Sequence, residues 1–103
     1  MNDATITDAE KALIESEGLK TRRVRDEPRV PDSGWFEVRM PLPGNGQYDH
    51  LTVDLFDGMD ERKWTLSLCG HDQWEDPHFA RLLSEQLVRA ADLCDRLNAL
   101  QAI

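Results

Sequence analysis

The period of the apolar positions changes along this chain. Counted from Phe79, the residues Leu82, Leu83, Leu87, Ala90, Ala91, Leu93, Cys94, Leu97 and Leu100 fall within roughly half of a helix circumference, which predicts one long amphipathic helix over residues 76–100. Asp76 is placed to cap its first turn, and Pro77 suits the first helical position. A stripe a little over ~100° wide is enough to meet one sheet, so this helix is expected to touch more than one neighbour.

Ahead of it the period is two. In residues 35–42, Phe36, Val38, Met40 and Leu42 point one way and Trp35, Glu37 and Arg39 the other. In residues 49–56, Leu51, Val53 and Leu55 oppose Thr52 and Asp54. In residues 63–69, Trp64, Leu66 and Leu68 oppose Lys63, Thr65 and Ser67. Short connections around Pro41–Gln47 and Asp57–Asp60 make this an antiparallel meander with one wet face. Residues 20–26 can add a fourth strand, and Arg22, Arg23 and Arg25 around Val24 suit a guarded edge. Pro28 and Pro31 break the chain after it.

Thr7 and Glu10 have the spacing of a capping box, and Gly18 followed by Leu19 predicts a Schellman closure onto Ile14. Ala9, Ala12 and Leu13 give this first helix only a thin apolar edge, so it needs the rest of the fold or behaves as a docked arm. The expectation is a single α+β domain over residues 1–103, in order α-β-β-β-β-α. An N-terminal helical arm (1–19) precedes an antiparallel sheet of three to four strands (20–69), and the C-terminal helix (76–100) forms the second layer. That helix is about 35 Å long and the strands only about 20–27 Å. Its last turns, with Leu93, Leu97 and Leu100, therefore require cover from the first helix or from a second copy of the chain, a homodimer through the C-terminal helix.

Composition narrows the function. Leu, Ile, Val and Phe make up 24 of 103 residues, enough for a core. No apolar run is long enough to span a bilayer, and two cysteines are too few for a disulfide framework, so a soluble cytoplasmic protein is expected. The net charge of −8 is uneven, with eight acids against two bases in residues 42–76. That field disfavours nucleic acid and anionic lipid and favours a basic protein partner.

No motif names a reaction. Cys69, His71 and His78 lack the spacing of a common zinc site, and Cys69 with His71 lacks a third, orienting group for nucleophilic catalysis. Asp54, Asp57, Asp60 and Glu61 match only fragments of a calcium loop. Neither enzymatic activity nor a cofactor is expected. Trp74, between charged residues and off the core pattern, and Trp35, opposite Phe36 and Val38, have the character of interface anchors. Together with Asp72, Glu75, Asp57 and Asp60 they form the candidate partner-binding set.

The run from Ala80-Arg81-Leu82-Leu83 to Asp95-Arg96-Leu97, in a chain with nine Arg to three Lys, resembles the C-terminal helices of many small proteins of high-GC actinobacteria and their phages. The resemblance implies a small accessory role and carries over no functional residue. The leading expectation is thus a non-enzymatic protein-interaction module, an accessory or host-modulating factor. The alternatives are an acidic decoy occupying a nucleic-acid-binding site, as an immunity or anti-defence protein would, and a small metal-binding protein.

Overall fold

The computed structural model describes residues 4–25, 33–42, 49–70, 73 and 76–101. Its elements are α1 (Asp8–Ser16), β1 (Thr21–Arg25), β2 (Gly34–Arg39), β3 (His50–Phe56), β4 (Trp64–Cys69) and α2 (Pro77–Leu100). The four strands form one antiparallel sheet in the order β1-β2-β3-β4. The predicted breaks at Pro28, Pro31 and Pro43–Gln47 lie outside the described residues.

Alternation sorts the strands as their sequences require. Val38, Leu51, Val53, Leu55 and Trp64 are buried on one face, and α2 packs on that face over β3 and β4. From the helix come Leu83, Ala90, Leu93, Cys94 and Leu97, completing the core. Asp76 caps α2 by accepting from the His78 amide at 2.9 Å. Cys94 donates to the Trp64 carbonyl, and Asn98 takes both backbone groups of Trp64, accepting from its N–H at 2.8 Å and donating to its oxygen at 3.0 Å.

The first helix is held by a carboxylate more than by apolar area. Ala9 and Ala12 are exposed, and its buried residues are Ile14 and Glu10. Glu10 closes the capping box on the Thr7 amide at 2.9 Å and accepts from Trp64 Nε1 at 2.6 Å. Both Arg62 terminal nitrogens donate to it, at 3.0 and 2.7 Å, and one also reaches the Thr5 carbonyl at 2.6 Å. Gly18, with φ +73°, forms the left-handed closure, and the Leu19 amide returns to the Ile14 carbonyl at 3.2 Å. Two arginines of α2 complete the clasp: Arg89 donates to the Glu17 carbonyl and Arg96 lies 3.7 Å from its carboxylate. Cations there also oppose the negative end of the α1 dipole. With α1 packed on α2, Leu93 and Leu97 are buried within a single chain.

A second buried acid works at the same end of the strands, on the β1 side. Asp57 binds Arg23 through both oxygens and accepts from the Ala4 amide at 2.8 Å and the Gly34 amide at 3.2 Å. Arg23 in turn lies over the Phe36 ring, 4.9 Å from its centroid. A Cβ at Gly34 would meet the Val24 carbonyl at 2.5 Å, so only glycine lets β1 and this ion pair close together.

Burial alone would raise the Glu10 carboxyl, but hydrogen bonds from Arg62, the Thr7 amide and Trp64, with the Arg62 charge, hold it at about 2 against an ordinary 4.5. A depressed pKa contributes stability that is complete above the ordinary value and lost as pH falls through the folded one. That difference corresponds to about 3 kcal/mol. Chemical denaturation should therefore show stability falling between pH 4.5 and about 2. Glu10→Gln should lose roughly this amount near neutral pH and flatten that slope.

Candidate functional site

The helices cover one face of the sheet only. On the other, register sets Val24, Trp35 and Phe56 in one row, Arg22, Glu37, Asp54 and Thr65 in the next, then Arg39, Thr52 and Ser67, and last His50 and Cys69. Trp35 and Phe56 are cross-strand partners whose ring centroids lie 5.6 Å apart at a 40° tilt. Phe56 is 38% exposed and Trp35 half-buried. These two rings form an apolar corner at one end of an otherwise polar face.

Glu37 sits beneath a fork of arginines, 3.9 Å from Arg22 and 3.8 Å from Arg39, and accepts from Trp35 Nε1 at 3.3 Å. The carboxylate is buried, and both guanidinium groups remain exposed. What this face offers outward is therefore aromatic and cationic, although the segment that supplies most of it is acidic in sequence. Its neighbour Asp54 is 2% exposed and accepts from the Thr52 hydroxyl at 3.0 Å, while its Oδ1 has no hydrogen-bond partner among the described residues. Burial raises the Asp54 pKa; the Ser67 and Thr52 hydroxyls lower it in part, and the Glu37 charge pushes it further up.

Of the candidate partner-binding residues, Trp35 lies on this open face and Asp60 is exposed in the β3–β4 turn. Asp57 is turned inward to Arg23, whose hydrogen bonds hold its carboxyl below the usual range against the opposing effect of burial. It serves the fold and is closed to a partner. Trp74, Asp72 and Glu75 lie outside the described residues, as does His71. Among the described residues no three His, Cys, Asp or Glu side chains come together as metal ligands, and no helix is long and apolar enough to cross a membrane. Cys69 is exposed; Cys94 is buried, which pushes its thiol pKa up.

A groove of about 810 Å³ runs from the α1 closure to the end of β2, lined by Glu17, Lys20, Arg22, Glu37, Arg39 and Arg89 among others. Its charges alternate and are partly engaged with one another, through Arg89 on the Glu17 carbonyl and the arginine fork on Glu37.

The sequence pattern singled out Trp35 but passed over Phe56, Arg22 and Arg39 as a group. The signal was the alternation itself: with Leu51, Val53 and Leu55 inward, Phe56 falls on the same side as Thr52 and Asp54. Cross-strand neighbours, by contrast, depend on register, and only the structure supplies that.

Comparison with protein-family models, curated proteins and solved structures gives no match. The chemistry of this face therefore rests on its own geometry.

Asp54→Asn keeps the Thr52 bond and removes a charge from a buried site with an unmet acceptor. A raised carboxyl pKa favours the folded state below the ordinary value and loses that contribution as pH rises through the folded one. The substitution should thus stabilise the protein by about 1 kcal/mol near neutral pH. The gain should disappear in acid, as urea titrations at two pH values will measure.

Proposed function

We propose that this chain is a non-enzymatic protein-interaction module whose contact surface is the helix-free face of the sheet. The observation that carries the reading is the tilted Trp35–Phe56 pair, partly exposed on a face that neither α1 nor α2 covers. Aromatic and arginine side chains supply a large share of binding energy at interfaces, the first through area and the second through planar, bidentate hydrogen bonding. Here Arg22 lies in the Glu37 row next to the rings, and Arg39 in the row beyond it.

The partner we infer is a protein surface with an apolar residue for the aromatic corner and carboxylates for the arginines. This differs from the basic partner that the acidic middle segment suggests. Asp49, Asp54 and Asp57 from that segment are buried, which takes them out of the outward field. An acidic decoy would need an exposed, regular array of acids, and these three do not contribute to one. The metal-binding alternative rests on Cys69, His71 and His78, of which His71 lies outside the described residues. A small accessory or host-modulating role in the cytoplasm belongs to the same proposal, as does any contribution from Trp74, Asp72 and Glu75.

Partner capture from lysate of the source cells tests it. Phe56→Ser and Arg39→Glu should each cut capture at least tenfold with unchanged circular dichroism, and Trp74→Ala in the same assay will show whether that residue takes part. Equal capture by Phe56→Ser and the wild type would refute the reading.

A further inference from the structure

We propose that β4 is the seam of a two-fold homodimer, in which two β4 strands pair antiparallel about Ser67 and the two α2 helices lie side by side above them. This surface is distinct from the helix-free face and does not depend on its function. It is also distinct from the last turns of α2, which α1 covers.

The two edges of the sheet differ in chemistry. β1 carries three arginines in five residues, whereas β4, Trp-Thr-Leu-Ser-Leu-Cys, carries no charge, proline or glycine. An edge without such guards is a template for another strand. Its backbone is also selectively open. The Met40 amide donates to the Leu51 carbonyl, so Leu51 turns its backbone groups to β2 and Thr52 turns its own to β4. Thr52 pairs with Ser67, which leaves the groups of Leu66 and Leu68 facing outward. At Trp64 the outward N–H and C=O are already taken by Asn98. The open rungs are thus Leu66 and Leu68. A two-fold axis at Ser67 sets each opposite the other in the second copy, closing both.

The side chains fit the same axis. Leu66 and Leu68 are on the core-facing side of the sheet yet 42% and 51% exposed. On the adjacent helix Leu87 is 36% and Val88 62% exposed. Pairing about Ser67 brings four leucines together as a floor beneath the two helices.

The position of the helix agrees. α2 packs on both β3 and β4, and its Asn98 reaches the outer edge of β4, so the helix lies next to the seam. Along the strand, Cys94 and Asn98 mark the level of Trp64. From Trp64 to Ser67 is about 10 Å, or six to seven helical residues at ~1.5 Å each, which leads back to the turn holding Val88. An antiparallel crossing centred on Val88 places Arg81 of one copy opposite Asp95 of the other, both exposed and opposite in charge. A second copy is therefore the occupant that satisfies strand, helix and charge with one axis.

Sedimentation equilibrium of the full chain should give twice the monomer mass of 11.8 kDa. Ser67→Cys should oxidise to a covalent dimer, since the axial pair is a non-hydrogen-bonded one with Cα atoms about 4.5 Å apart. Thr65→Cys should cross-link to the native Cys69 of the second copy, while wild-type Cys69, about 13 Å from its twin, should not pair with itself. Leu66→Lys with Leu68→Lys should weaken association at least tenfold and leave the circular dichroism unchanged, because both leucines are exposed in the single chain. Arg81→Asp should weaken it and Asp95→Arg in the same chain restore it. A monomeric wild type overturns the proposal, and so does a dimer that Ser67→Cys fails to lock or that survives the double lysine variant.

Discussion

The fold depends on one buried carboxylate. Glu10 joins two segments that are remote in sequence: the capped start of α1, and the entry to β4 with Arg62 and the buried Trp64 indole. A helix of nine residues with two buried side chains has too little apolar area to dock by burial alone. The charge is affordable there because every direction around it holds a donor, which keeps it ionised far below the usual range. Once α1 is fixed it covers the last turns of α2, and Arg89 and Arg96 secure its other end.

Asp57 repeats the arrangement at the same end of the strands, toward β1, with a different cation, Arg23, and two backbone amides. Glu10, which the sequence presents as a capping residue, and Asp57, which it presents as a partner contact, thus both act as internal fasteners. The surface is consequently less acidic around the sheet than the formal charge suggests, and arginines define the open face. This redistribution links the packing of the chain to the kind of partner its face suits.

The element order, the strand faces and both caps of α1 could be read in advance, because each rests on local spacing: alternation in β2 and β3, Thr7 with Glu10, and Gly18 before Leu19. The same spacing identified Cys94 as a buried residue and Asp76 as a cap. Contacts that cross the chain were out of reach. Glu10 reads as a capping residue from its neighbours, and nothing nearby announces Arg62, fifty-two positions away. The sheet gave a similar lesson at Leu66 and Leu68, whose inward side was legible but whose exposure depends on how far α2 extends sideways over an edge strand. Trp35 was recognised by parity, whereas its pairing with Phe56 follows from register. The acidic middle segment misled for a related reason: a count of charges does not reveal which of them are buried.

The contrast between the two rims of the sheet has a further consequence. A joint made through β4 uses up the bare rim of each copy, and the rims left at the far ends are both β1, studded with Arg22, Arg23 and Arg25. Arg22 and Arg25 are exposed on this rim, and a charged edge disfavours the addition of a further strand. Were two copies joined through β4, growth beyond the pair would have to begin at these guarded edges.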